Sequence, residues 1–277
     1  MDKNAAKQKM ENLVHRLVDL DSLLVAFSGG VDSAFLLVMA RQALGEKIIA
    51  ATASSIIHPV RETEEAKDFV RERGISHVVF PSDELSIPGF AANGPDRCYI
   101  CKRRLFQKLL EMAREKGIKH VAHGANLDDP ADYRPGFRAA KEAGVIAPLI
   151  DAQLGKEDIR FLSKEMGLST WDRPAMPCLA TRFPYGSPIT EENLKMVEDA
   201  ESFLVEQGFK VVRVRHHGSV ARVEIGRGEL EKIMDEGLGK AIVEKFRKIG
   251  FEHVALDLEG YVSGSLNRAI GEMGEKG

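Results

Sequence analysis

The stretch Leu23–Leu37, "LLVAFSGGVDSAFLL", sets an apolar run directly against Ser28, Gly29, Gly30, Val31, Asp32 and Ser33, then returns to apolar residues. A buried strand followed at once by a helix accounts for the two apolar halves. The residues between them suit an anion. A helix N-terminus offers free backbone N–H groups and the positive end of the helix dipole. Gly29 and Gly30 let the backbone approach closely, and the hydroxyls of Ser28 and Ser33 add hydrogen bonds without filling the space. In an open parallel sheet this turn lies at the carboxyl end of a strand, where ligands bind. The stretch has neither the Gly-Lys-Ser/Thr of a Walker A loop nor a GxGxxG pattern. Asp32 is the odd member, because an acid beside phosphates requires a cation between them, and Mg²⁺ on a pyrophosphate oxygen meets that need. A capped tight turn explains a bare Gly-Gly. It does not explain serines on both sides with an acid inside.

Working outward, strand-like and helix-like runs alternate through the first two-thirds of the 277 residues. Strands are expected at 22–28, 47–54, 76–82 and 119–126, with a candidate fifth at 143–151. Helices are expected at 33–44, 61–74 and 101–117. Such alternation predicts an α/β fold, a parallel sheet with helices on both faces. The segment 173–190, "RPAMPCLATRFPYGSPIT", carries four prolines and closes this pattern. A helix at 191–208, strands in "KVVRVRHHG" and "VARVEIG", a helix over 228–250 and a last strand in "HVALDLEGY" then predict a small α+β domain. The expected division is 1–188 and 189–277.

Composition sets outer limits. Lys and Arg total 39 against 42 Asp and Glu, a formal charge of −3 that gives no field for gathering nucleic acid. No run approaches the roughly eighteen apolar residues of a membrane span. The N-terminal segment is polar and helical in pattern, unlike a signal peptide. The expected location is the cytoplasm, away from membranes.

The three cysteines cannot all pair within one chain, and a reducing cytosol disfavours disulfides. Cys98 and Cys101 stand as "RCYIC", and Cys178 lies in the proline-rich segment. A thioredoxin-like pair accounts for the first two and leaves Cys178 idle. Structural zinc requires a fourth ligand, for which His123 and His58 are candidates. Buried bystander thiols are a third reading. A shared site of three thiolates, most naturally an iron–sulfur cluster with one iron open to a sulfur ligand, uses all three.

Lys102, Arg103 and Arg104 follow Cys101 at an expected helix start, where cations oppose the dipole. Arg182, four residues past Cys178, has the fork to clamp an anion. Arg213 and Arg215 alternate on a strand and share a face, which suits a phosphate grip or a solvated sheet surface. The acid-rich run 123–140 is read either as a loop facing the site or as a solvated turn.

The segment Ser28-Gly29-Gly30-Val31-Asp32-Ser33 resembles the SGGxDS fingerprint of the PP-loop ATP pyrophosphatases. Taken together, "AFSGGVDS", "DDPADYRPG", "CLATRFPYGSPIT", "VRVRHH" and "LDLEGYVSG" resemble the LarE family, from about residue 12 to residue 268 and in the same order. These are ATP-dependent sulfur transferases of nickel-pincer nucleotide biosynthesis. The resemblance implies a PP-loop domain followed by a small α+β domain, in a homo-oligomer. It implies adenylation of a carboxylate of pyridinium-3,5-biscarboxylate mononucleotide, then displacement of AMP by sulfur to give a thiocarboxylate. Ser28, Gly29, Gly30, Asp32 and Ser33 match the ATP loop, and Lys102, Arg182, Arg213 and Arg215 fall where the family binds phosphate or substrate. Cys178 matches the cysteine used as sulfur source, with Asp32 and Lys102 as its catalytic companions. Members that sacrifice that cysteine lack the Cys-x-x-Cys pair. Cys98 and Cys101 therefore place this chain with the three-cysteine group, which implies a [4Fe-4S] cluster on Cys98, Cys101 and Cys178 and sulfide from an outside donor.

Three rival functions share parts of the pattern. A PP-loop tRNA thiolase also joins the loop to three cysteines, but a basic RNA-binding face sits poorly with a net acidic chain. An amide-forming ligase leaves the cysteines without a task. A non-catalytic ATP-binding regulatory module would release no pyrophosphate in response to substrate.

Overall fold

The computed structural model describes residues 2–129, 135–262 and 264–268. It divides into two compact units, 1–83 with 98–176 and 84–97 with 177–277. The chain thus leaves the first unit after Asp83, returns at Cys98 and leaves again after Met176.

The first unit is built on four parallel strands, β1 (Leu23–Ala26), β2 (Ile48–Ser54), β3 (Ser76–Pro81) and β4 (His120–His123), in the order β3-β2-β1-β4. Its helices are α1 (Lys3–Val18), α2 (Val31–Leu44), α3 (Val60–Arg71), α4 (Arg97–Glu115), α5 (Pro135–Glu142), α6 (Pro148–Asp151) and α7 (Lys156–Glu165). Alternation along β1 shows how the sheet is covered. Leu23 and Val25 join one core with residues of α1, α2, α3 and α7, whereas Leu24 joins a second with Phe106, Leu109 and Met112 of α4 and Ala139 and Ala140 of α5. A strand apolar on both sides is what two covered faces require. Helix α2 buries eight residues, among them Val31, Phe35 and Leu37, which explains its near-continuous apolar sequence. The predicted α/β architecture is therefore present.

The expected fifth strand is not. Residues 143–151 pair with the sheet only at Ile146, an isolated parallel bridge to Ala122, and Pro148 opens α6. Proline's fixed φ and missing N–H suit a helix start and remove a donor from any ladder. Helix α4 also begins earlier than expected, at Arg97. Lys102, Arg103 and Arg104 consequently stand in its second turn, past the reach of the N-terminal dipole.

In the second unit, α8 (Glu191–Glu206) and α10 (Glu236–Ile249) pack on a three-stranded sheet. The sheet comprises β5 (Val212–His217), β6 (Val220–Ile225) and β7 (His253–Leu256), antiparallel between β5 and β6 and parallel between β6 and β7. The single helix expected over 228–250 is interrupted. A short α9 (Leu230–Ile233) ends before Asp235, whose carboxylate accepts from the Leu238 N–H and starts α10 afresh. Among the described residues, no helix is long and apolar enough to cross a membrane.

Candidate active site

Strand order reverses at β1: β2 and β3 extend to one side and β4 lies on the other. The carboxyl ends of β1 and β4 therefore frame a topological switch point, the usual ligand crevice of an open α/β sheet. The stretch that opened the sequence reading occupies it. Gly29 takes φ +77° and Gly30 caps α2 in extended conformation. The Ser28 and Ser33 hydroxyls lie 3.2 Å apart, and Ser33 Oγ donates to the Gly30 carbonyl at 3.1 Å. The N-terminal N–H groups of α2 face the turn with two hydroxyls beside them, a cradle for phosphate oxygens.

Asp32, in the first turn of α2, has a divided environment. Its Oδ2 receives the ammonium of Lys156 at 2.6 Å, while Oδ1 is buried without a hydrogen-bond partner. A hard, orphaned carboxylate oxygen beside a phosphate cradle fits the donor chemistry of Mg²⁺. Arg173 holds the other side of the turn. Its Nη1 donates to the Gly29 carbonyl at 3.0 Å and its Nη2 meets Glu65 at 2.9 Å.

The β4 side carries His123, packed between the rings of Phe106 and Phe137. Burial, and then the Lys102 cation, push its imidazole down to about 4, and its Nε2 is buried with no partner. Lys102 reaches this end of the sheet from α4, its stem lying against Gly136. The next loop crosses α2 at Gly124. It continues through Asp128, whose Oδ2 accepts from the Lys156 N–H at 2.6 Å. The acid-rich run was expected to face the site or turn in solvent. Asp128 belongs to the site's network, and residues 130–134 lie outside the described residues.

Cys98 and Cys101 stand three apart on α4 and so share one helix face. Both are partly exposed, and no cysteine is in a disulfide. Cys178 belongs to the second unit. Its carbonyl accepts from Thr181 N–H at 3.0 Å, Thr181 Oγ1 at 2.9 Å and Arg182 Nη1 at 3.2 Å. Thiols are the donor type an iron–sulfur cluster takes. Among the described residues, no three His, Cys, Asp or Glu side chains are grouped as a metal site.

The arginine face of β5 is buried. Arg182 grips Glu201 through two 2.8 Å bonds, and Arg215 grips Glu224 at 2.9 and 2.7 Å while donating to the Thr181 carbonyl. Arg213 lies over the Tyr261 ring, and burial followed by the neighbouring Arg182 charge lowers its pKa. Glu224 is shared, since Arg222 also reaches its Oε1 at 3.1 Å. His216 points to the opposite face, between Phe183 and Phe251. The solvated-surface reading of Arg213 and Arg215 is thereby corrected: both are under 10% exposed.

A PP-loop domain family matches residues 2–132. An uncharacterized protein of Synechocystis is 42% identical over 265 residues, 95% of this chain and 98% of its own. The pyridinium-3,5-bisthiocarboxylic acid mononucleotide synthase of Lactiplantibacillus plantarum is 35% identical over 263 residues, 95% of each chain. The chain belongs to the LarE family. An uncharacterized protein of Methanocaldococcus jannaschii is 30% identical over 268 residues, 94% of this chain and 96% of its own.

Two residues that frame the phosphate turn of this LarE-family chain escaped the sequence reading. Lys156 carried a usable signal. "GKED" after an apolar run is a helix start with acids in its first turn, so the lysine belongs at the sheet's edge. Arg173 carried none, because its partner Gly29 lies 144 residues earlier.

Proposed function

We propose that this chain uses ATP to adenylate a carboxylate of pyridinium-3,5-biscarboxylate mononucleotide and converts that carboxylate to a thiocarboxylate. The observation that carries the reading is the 35% identity, over 95% of both chains, to a synthase named for the bisthiocarboxylic product. The phosphate cradle at the switch point supports the ATP half of the reaction. A substrate carboxylate oxygen attacks the α-phosphorus, the bond to the bridging oxygen breaks, and pyrophosphate leaves. Sulfide then attacks the acyl carbon, and AMP departs with the former carboxylate oxygen.

In this reading Ser28, Gly29, Gly30 and Ser33 hold the phosphates through N–H and O–H donors that need no reorganisation as charge moves onto the leaving group. Mg²⁺, held by Asp32, supplies charge neutralisation and Lewis acidity at the phosphates. Lys102 grips the mononucleotide from the β4 side. Arg182, Arg213 and Arg215 serve its phosphate and carboxylates. Cys98, Cys101 and Cys178 would hold a [4Fe-4S] cluster, whose chemistry is to accept sulfide from an outside donor and present it to the acyl carbon. The enzyme works as a homo-oligomer in the cytoplasm, on a small molecule and without nucleic acid.

The test measures pyrophosphate release with Mg²⁺ and ATP, with and without the pyridinium mononucleotide. Release that requires the mononucleotide is expected; release driven by transfer RNA instead would overturn the substrate. Iron and acid-labile sulfide, assayed on protein purified without air, are expected at about four irons per chain. Cys101→Ala should lose the iron and keep pyrophosphate release. Absence of iron after anaerobic reconstitution would return the sulfur to Cys178 itself.

A further inference from the structure

Phe27 is the last residue before the phosphate turn, and β2 holds its main chain on both sides. Its N–H donates to the Ala51 carbonyl at 2.8 Å, and its carbonyl accepts from Thr52 Oγ1 at 2.8 Å. The second bond comes from a buried side chain, one residue past the end of β1. Thr52 Oγ1 has another partner, His77 Nε2 on β3, also at 2.8 Å. A hydroxyl carries one proton and a carbonyl only accepts, so the Thr52 proton goes to Phe27 and His77 is the donor. The neutral imidazole is therefore the Nε2–H tautomer. Burial, and then the Lys67 charge, lower its pKa, which keeps the ring neutral at pH 7. The Phe27 ring is seated as well, against Phe69 and the His77 imidazole.

A peptide unit is planar, with its C=O and N–H on opposite sides. The Phe27 carbonyl and the Ser28 N–H belong to one such plane, so whatever holds the oxygen aims the hydrogen. That hydrogen points into the cradle, where Ser33 Oγ lies 3.4 Å from the Ser28 nitrogen. From this geometry we infer that Thr52 and His77 are positioning residues for ATP, which aim the Ser28 N–H at the phosphates through the peptide plane between Phe27 and Ser28. The inference rests on the ATP reading of the turn and adds to it two residues that act through a third. The donors run head to tail: imidazole to hydroxyl, hydroxyl to carbonyl, and the N–H of the same peptide to the site. Each member of such a chain polarises the next. An imidazole on β3 thus strengthens an N–H at the end of β1. An N–H aimed in advance needs no reorganisation when charge moves onto the leaving pyrophosphate.

The experiment titrates ATP, in Mg²⁺ buffer and without the organic substrate, into wild type, Thr52→Val, Thr52→Ser and His77→Phe by calorimetry. Nitrogen-15 NMR of the same proteins reads the Ser28 amide and the His77 ring. Wild type should bind ATP and carry the His77 proton on Nε2. Valine matches the shape of threonine without its hydroxyl and should weaken ATP about 5- to 10-fold, whereas serine should restore it to within about threefold. His77→Phe leaves the hydroxyl and removes its donor; it should weaken ATP about two- to threefold and shift the Ser28 amide. If Thr52 did no more than satisfy a buried carbonyl, its loss would lower the melting temperature alone. Unchanged ATP affinity in Thr52→Val therefore overturns the inference, as does a wild-type His77 proton on Nδ1. Should the valine variant fail to fold, His77→Phe decides, and an unmoved Ser28 amide with unchanged affinity overturns the inference there. Failure of wild type to bind ATP is a different result, which removes the nucleotide reading of the turn and this inference with it.

Discussion

Gly124 presses on the main chain of Ser33: a Cβ at position 124 would lie 2.8 Å from the Ser33 nitrogen and 2.9 Å from its Cα. Both atoms are backbone, so no side-chain rotation relieves the contact. The loop after β4 and the first turn of α2 therefore share a wall, and the spacing between the two sides of the crevice is set there.

Gly124→Ala should accordingly displace the phosphate turn. Overpacking of this kind costs about 1–3 kcal/mol, and ATP affinity should fall at least about tenfold, since binding depends on donor placement. Thermal melting and an ATP titration read the two effects. An unchanged ATP dissociation constant would show that the turn keeps its shape without this contact.

Arg173 pins the opposite side, joining the Gly29 carbonyl to Glu65. Arg173→Met should weaken ATP about 5- to 20-fold, the order of one lost charge-assisted hydrogen bond of about 1–2 kcal/mol. Arg173→Lys should recover only part, because one ammonium does not span two acceptors as a guanidinium fork does. Full recovery by lysine would reduce the role to charge alone.

His123 makes stability depend on pH in a stated direction. Burial lowers its pKa to about 4 from the ordinary 6.5. Above pH 6.5 the ring is neutral in both folded and unfolded chains. Between pH 6.5 and 4 the unfolded chain takes up a proton that the folded one refuses, so stability falls as the solution is acidified. The loss is about 2–3 kcal/mol across that window. Urea unfolding at pH 7, 5.5 and 4.5 measures it, and His123→Leu should flatten this component of the slope.

Glu224 is 2% exposed and carries both bonds to Arg215. Glu224→Ala leaves a buried guanidinium without its counter-charge and should cost about 3–5 kcal/mol. A paired Arg215→Met, Glu224→Leu change should recover part of that in urea unfolding, because no uncompensated charge remains. A double variant as unstable as the single one would show that packing, not charge, dominates the site.

What was legible in the sequence was local. The β1–turn–α2 unit could be read because two apolar runs flank polar residues whose small size has few other uses. The strands at 47–54 and 76–82 and the helix at 191–208 followed from periodicity. Misreadings fell where one residue overrides a pattern. Pro148 turned an apolar run into a helix start, and Asp235 restarted a helix that periodicity alone would have carried through. Within the site, the phosphate turn was visible from spacing. The buried ion pairs of Arg182 and Arg215 were not, because Glu201 and Glu224 look like surface acids until strand register and helix packing place them inside.

The inner segment of the second unit, residues 84–97, has a consequence in time. Arg97 is 1% exposed and bonds to the Ala180 carbonyl 83 positions later, while Asn93 donates to Pro184 and Ser187, the latter 94 positions later. At about 5–20 residues per second, a growing chain presents these groups roughly 4 to 20 seconds before their partners exist. A guanidinium destined for burial must wait in water for that interval while the first unit is still being synthesised around it. The order of synthesis thus keeps residues 93–97 waiting until residues 180–187 have been made, and a ribosome stalled before Ala180 would hold a chain whose second unit has not closed.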